Sequence, residues 1–166
     1  MTRMPPKKVV SSDDFQTPEI EVERMIKFLN PSWKIWECAD GKGKIVRTLE
    51  KHGFNVTGTD IKTGQDFLAP LFPTPEFDCI FTNPPYSRKD EWIQRCFDIG
   101  KPFALLLPIT GLVEQGRIRM YKKYGVQVAI PPGRINYETP SGEGSGAWFF
   151  SVWICHGLLP DNMVFL

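Results

Sequence analysis

The chain has 166 residues, a size that suggests one domain. It is 42% apolar and 23% charged, with a net charge of +1. That is ordinary for a globular chain and lacks a global basic excess, so any nucleic-acid binding must come from local patches. Four cysteines without a CxxC pair and only two histidines, His52 and His156, argue against a structural zinc site. No apolar h-region opens the chain and no run of about 18 apolar residues interrupts it, which argues against a signal peptide and a membrane span. Cys38, Cys79, Cys96 and Cys155 sit mostly in apolar runs or on a helix face, as expected in a reducing, cytosol-like compartment.

Residues 1–14 are polar and basic at the start and predict a loose, flexible arm, with one folded domain over 15–166. Thr17-Pro18 reads as a helix N-cap followed by proline at the first helical position. Val22, Met25, Ile26 and Leu29 follow at helical spacing, and Asn30-Pro31 ends that helix. Lys34–Cys38 reads as a strand. Ile45, Val46 and Leu49 mark a second helix closed by Gly53. Phe54–Ile61 and Phe77–Thr82 read as strands. Ser87 and Asp90 resemble a capping box before a helix with Ile93, Cys96 and Phe97 on its apolar face.

Phe103–Leu107, closed by Pro108, predicts a strand buried on both faces. A helix is expected over Leu112 to Tyr124, a strand over Gln127–Ile130, a Gly- and Pro-rich loop over Pro131–Gly146, and a last strand over Ala147–Cys155. Strands alternating with helices predict an α/β fold with a doubly wound, mostly parallel sheet. The last two strands have no helix between them and are expected to pair as an antiparallel hairpin at one edge.

Three features suit a nucleoside-like ligand. The turn Glu37-Cys38-Ala39-Asp40-Gly41-Lys42-Gly43 joins a strand to a helix where ligands bind in open α/β sheets. A full dinucleotide fingerprint needs a third glycine where Val46 stands, and the residues also fit a plain tight turn. Asp60, at the end of the next strand, can accept hydrogen bonds from ribose hydroxyls or cap a helix. Asp66-Phe67 can pair with and cover an adenine, or be a turn aspartate and a core phenylalanine.

The fourth feature points to chemistry. Thr82-Asn83-Pro84-Pro85-Tyr86 follows a strand directly, and two prolines cannot continue a central strand. The Asn83 side-chain oxygen and the Pro84 carbonyl can then grip the hydrogens of an amino group. Such a grip favours a pyramidal nitrogen with a free lone pair, while the Tyr86 face stacks on a planar substrate. Holding nitrogen and methyl donor in line supplies much of the catalysis.

With these residues in place, the sequence resembles the class I S-adenosylmethionine-dependent methyltransferases over nearly its whole length. Within that group it is similar to the compact adenine-N6 DNA methyltransferases of bacteria and their phages. The resemblance implies a Rossmann-like sheet of seven strands with one antiparallel strand near an edge. It implies S-adenosyl-L-methionine as cofactor, no metal, and an adenine flipped out of DNA into the site.

It assigns the catalytic motif to Asn83, Pro84, Pro85 and Tyr86. It assigns cofactor contacts to Phe15, Gln16 and Thr17, to Glu37, Ala39, Gly41 and Gly43, and to Asp60, Asp66, Phe67 and Asn83. The implied setting is the cytoplasm of a bacterium or a phage-infected cell. There is no room for a separate recognition domain. Substrate recognition is therefore expected from Ser87–Asp90, the loop 131–146, the basic arm and the cluster Arg117, Arg119, Lys122 and Lys123. RNA adenine, a protein glutamine amide, or an inactive nucleic-acid-binding module are the alternatives. An NAD-dependent oxidoreductase is disfavoured by Val46.

Overall fold

The computed structural model describes residues 15–69, 74–139, 142–143 and 149–166. The basic arm expected at residues 1–14 and much of the loop at 140–148 lie outside the described residues. In chain order the elements are α1 (Glu19–Ile26), β1 (Lys34–Glu37), α2 (Lys44–Lys51), β2 (Asn55–Gly58), β3 (Cys79–Thr82), α3 (Lys89–Ile99), β4 (Phe103–Pro108), α4 (Gln115–Tyr124), β5 (Gln127–Ile130), β6 (Glu138–Thr139), β7 (Gly142–Glu143), β8 (Ser151–His156) and β9 (Met163–Phe165).

Seven strands form one sheet in the order β2-β1-β3-β4-β8-β5-β9, and β6 pairs with β7 apart from it. All neighbours are parallel except β8, which runs antiparallel to both β4 and β5. Alternate residues serve opposite faces, as pleating requires. Ile35, Phe81, Leu106 and Trp153 join Val22, Met25, Ile45 and Leu49 of α1 and α2 in one core. Trp36, Ile80, Leu105 and Ile154 join Ile93, Cys96 and Phe97 of α3 in the other, with Tyr121 and Tyr124 of α4 packed alongside. The result is the doubly wound α/β sheet that the sequence predicts.

The local departures have physical causes. The expected edge hairpin is not at an edge. β5 and β8 do pair antiparallel, but β8 inserts between β4 and β5, and β9 covers the far side of β5. Helix α1 is followed by turns, and Pro18, not Thr17, is its N-cap, without a side-chain hydrogen bond. Ser87 lies in a 3-10 turn, Tyr86–Arg88, and α3 begins at Lys89 without a side-chain cap, so no capping box starts it. The helix expected from Leu112 is split. A 3-10 turn spans Ile109–Leu112, and α4 begins only after Glu114, whose side chain accepts from Gly116 N and Arg117 N.

Candidate active site

Parallel strands β1, β2 and β3 end on the same side of the sheet, and a cavity of about 290 Å³ lies beyond their carboxyl ends. That is near the lower end of the size range of small-molecule sites. It gathers Phe15, Gln16, Thr17, Glu37, Ala39, Gly41, Asp60, Asp66, Phe67, Asn83 and Pro85, residues otherwise scattered through the first half of the chain. Gly43 is not on its wall. It has φ 77° and starts α2. Pro84 and Tyr86 also lie off the wall.

The glycine turn is built by backbone need. Gly41 has φ 56°, a conformation costly for a residue with a Cβ. Its amide donates to Asp60 Oδ2 at 2.8 Å, and Lys62 N donates to Asp60 Oδ1 at 2.8 Å. One carboxylate thus ties the glycine turn to the 3-10 turn Ile61–Thr63, which it caps. Val46 is tolerated because the missing glycine is supplied across the interface. A Cβ at Gly58 of β2 would lie 3.0 Å from Val46 Cγ2 and 2.6 Å from Asp40 Oδ2. Helix and strand approach closely from the strand side.

The cavity is acidic at its base. Glu37 is 1% exposed and accepts from Ala39 N at 2.8 Å and from the Thr82 hydroxyl. Burial pushes its carboxyl up to about 8. The hydrogen bonds from Thr82 and Ala39 oppose that rise, and the charges of Asp40 and Asp60 add to it. Burial and the Asp60 charge also raise Asp40, and Asp40 Oδ1 is buried without a hydrogen-bond partner. A site that holds carboxylates above their usual range is one that positive charge would relieve.

A pH dependence follows. A group raised in the folded state is easiest to accommodate when protonated. The unliganded fold therefore loses stability as pH climbs from the ordinary carboxylate range to about 8, and no further above it. A cationic ligand favours ionised Glu37, so its affinity is expected to rise with pH toward about 8, with release of a proton, and to level off above it. Titration calorimetry in buffers of different ionisation enthalpy reads both. Glu37→Gln should flatten the profile, and an equally steep profile in that variant would clear Glu37 of the role.

Asp66 Oδ1 accepts from Leu68 N at 2.9 Å, and Phe67 is 1% exposed, stacked on Trp92 at 4.3 Å with 24° between planes. Both therefore have a structural duty, and both still line the cavity. Sequence reasoning missed Ile61 and Trp92 on the same wall. Ile61 is 60% exposed, an apolar residue left open directly after the strand-end acid, and that juxtaposition was a readable signal. Trp92 sits at core spacing on α3 and gave none.

At the end of β3, Asn83 Nδ2 donates to the Phe15 carbonyl at 3.0 Å and to Thr17 Oγ1 at 3.1 Å. Asn83 Oδ1 is buried without a hydrogen-bond partner. No hydrogen bond among the described residues ends on the Pro84 carbonyl. Tyr86 differs from the expected open plate. It is 8% exposed, and the Phe15 ring lies over it at 5.9 Å with 22° between planes. Its hydroxyl donates to the Tyr137 hydroxyl at 3.1 Å, which donates to Ser151 Oγ at 2.8 Å. Burial pushes the Tyr86 phenol well above its ordinary value, so it is not a base.

Of the basic cluster expected on α4, Arg119, Lys122 and Lys123 are exposed and Arg117 is not. Arg117 is 6% exposed, paired with Asp90, and donates to the carbonyls of Thr110 and Val113 at 3.2 and 2.9 Å. It staples the turn after β4 to the start of α3. Helix α4 joins parallel strands β4 and β5 and so runs back along the sheet, carrying Lys122 and Lys123 about 10 Å from its first turn. The basic residues on the cavity wall are Lys44, Lys62 and Arg88, and Arg134 follows β5, with its guanidinium 4.9 Å from the ring centre of half-exposed Phe150. No helix among the described residues is long and apolar enough to cross a membrane, and no group of three or more His, Cys, Asp or Glu among them is placed to hold a metal ion.

No protein-family model matches the chain, and no curated protein sequence does. Solved structures do match. A protein from Listeria monocytogenes assigned to the class I S-adenosylmethionine-dependent methyltransferases aligns with a TM-score of 0.61 at 15% identity, over 96% of this chain and 67% of that one. A modification subunit assigned to a type I restriction enzyme of Vibrio vulnificus aligns at 0.57 and 13%, over 89% and 45%. A dimethyladenosine transferase from Plasmodium falciparum aligns at 0.52 and 15%, over 89% and 63%. The chain thus spans about half to two thirds of the length of these structures. What it shares with them at such identities is the fold, the Rossmann-like sheet of class I methyltransferases.

Proposed function

We propose that this chain transfers a methyl group from S-adenosyl-L-methionine to the exocyclic amino group of adenine in DNA. The observation that carries the reading is the Asn83 carboxamide. Its nitrogen is spent on two acceptors, and its oxygen is buried and unbonded beside an acid-based cavity. An unbonded buried acceptor is costly, and a substrate N–H is the group that would satisfy it.

The cofactor fits the donor set of this chain. Glu37 and Asp40 offer carboxylates that positive charge would relieve, Asp60 offers lone pairs for ribose hydroxyls, and Ile61, Phe67 and Trp92 give apolar walls for a flat ring. S-adenosyl-L-methionine, when bound, supplies a methyl group on a positively charged sulfur.

The protein's own part is orientation. Asn83 Oδ1 and the Pro84 carbonyl accept the two amino hydrogens and free the nitrogen lone pair. The carbon–nitrogen bond forms as the carbon–sulfur bond breaks, and the nitrogen then sheds one proton. The closed stack of Phe15 on Tyr86 must open for the Tyr86 face to meet a base.

Adenine and DNA as the acceptor rest on the resemblance of Asn83-Pro84-Pro85-Tyr86, and they accord with the names of the dimethyladenosine transferase and the restriction-enzyme subunit. The test is incubation with methyl-labelled cofactor and double-stranded DNA, single-stranded DNA, RNA and protein, followed by hydrolysis and chromatography. Label on N6 of deoxyadenosine is expected. Label on a glutamine amide or an RNA base would overturn the substrate, and no label on any acceptor would overturn the activity.

A further inference from the structure

We infer that Thr17 is a positioning residue that, together with the Phe15 carbonyl, holds the Asn83 carboxamide with its oxygen toward the substrate. The inference rests on the proposed amino-group chemistry and adds to it a residue outside the Asn-Pro-Pro-Tyr motif.

The two ends of a carboxamide are nearly alike in shape and opposite in hydrogen-bonding sense. Oxygen toward an amino group gives a hydrogen bond. The flipped amide would set two N–H groups against the N–H of the substrate. Something must therefore hold the polarity, and the prolines that follow Asn83 do not act on its side chain.

The segment before α1 supplies that hold. Both Asn83 Nδ2 hydrogens are taken, one by the Phe15 carbonyl at 3.0 Å and one by Thr17 Oγ1 at 3.1 Å. The Phe15 carbonyl can only accept, so it sets the nitrogen toward this segment, and the Thr17 hydroxyl holds the amide in that plane by taking its second hydrogen. Thr17 is 2% exposed, and its hydroxyl is not spent on starting α1, which Pro18 caps without a side-chain bond.

The segment is itself fixed on the other side. Gln16 N donates to the Glu138 carbonyl at 3.0 Å, and Glu138 N donates to the Gln16 carbonyl at 3.2 Å. Thr17 thus reaches Asn83 across 66 positions of sequence from a clamped backbone. The local Thr-Pro pattern, which reads as a helix cap, serves the catalytic asparagine instead.

Thr17→Val keeps the shape and removes the acceptor. The expected result is a fall of about 10- to 100-fold in the methyl-transfer rate at saturating cofactor, the size seen when an outer partner that orients a functional group is lost. Thr17 also lines the cavity, so the rate is read at saturating cofactor, apart from any change in affinity, and Thr17→Ser should restore it. The second readout is the Asn83 side-chain amide in nitrogen-15 spectra. Both its protons should exchange slowly in the native chain, and one should exchange fast in Thr17→Val. Thr17→Ala serves if the valine does not fold.

A raised cofactor dissociation constant with an unchanged rate would make Thr17 a cofactor contact and overturn the inference. Unchanged amide exchange would overturn it as well. A native chain that methylates no amino acceptor would overturn the proposed chemistry, and the amide spectra would still decide whether Thr17 holds Asn83.

Discussion

Asn83→Ala is expected to lower methyl transfer by about 10²- to 10³-fold or more while cofactor affinity changes little. That range is what one preorganised polar contact is worth at a reacting centre. Asn83 does more than that, because its oxygen is the acceptor that the amino group needs and Pro84 alone cannot orient the nitrogen. The substitution also frees the Phe15 carbonyl and Thr17 Oγ1, which now hold Asn83 Nδ2, so the segment over Tyr86 should loosen. Single-turnover rates with labelled cofactor, set beside the cofactor dissociation constant, separate these effects. A loss of cofactor affinity equal to the loss of rate would make Asn83 a binding residue and remove its catalytic role.

The central strands were legible because they are buried on both faces. Phe103–Leu107 is a continuous apolar run closed by proline, and its five residues are all buried. The turn after β3 was legible for the opposite reason, since Pro84-Pro85 after an apolar run stops a strand at the edge where the cavity lies. The acidic base was half legible. Glu37 and Asp60 stood at strand ends, but only the fold brings Asp40 and Asp60 close enough for each charge to push on Glu37.

What failed was whatever depended on a distant partner. Thr17 follows the local rule for a cap, and a long-range bond to Asn83 overrides it. Arg117 sits among lysines on a helix, and its guanidinium turns inward to Asp90 and two carbonyls. Tyr86 was expected open, and the Phe15 ring closes it. β9 is three residues long and pairs only with β5, too short a run for any period to show. The edge position of β8 failed because sequence adjacency predicts pairing with β5 and is silent on which strand lies beyond.

Asp60→Ala is expected to weaken cofactor binding by about 30- to 100-fold and to leave the rate at saturation nearly unchanged. A ribose contact alone accounts for only part of this. The Asp60 carboxylate already accepts from Gly41 N and Lys62 N, each at 2.8 Å, and so ties two turns together. Its loss lets the glycine turn and the Ile61–Thr63 turn drift apart, and both line the cavity. Asp60→Asn is no gentle control, because one carboxyl oxygen becomes an NH₂ facing a backbone N–H, and it should be nearly as damaging.

The contact and the scaffold separate in a thermodynamic cycle that pairs the substitution with a cofactor analogue lacking the ribose hydroxyls. If Asp60 binds ribose, the analogue binds worse than the cofactor in the native chain and equally well in Asp60→Ala. If the penalty for losing the hydroxyls is the same in both proteins, Asp60 shapes the site without touching the sugar. The whole loss of affinity then belongs to the two turns it ties together.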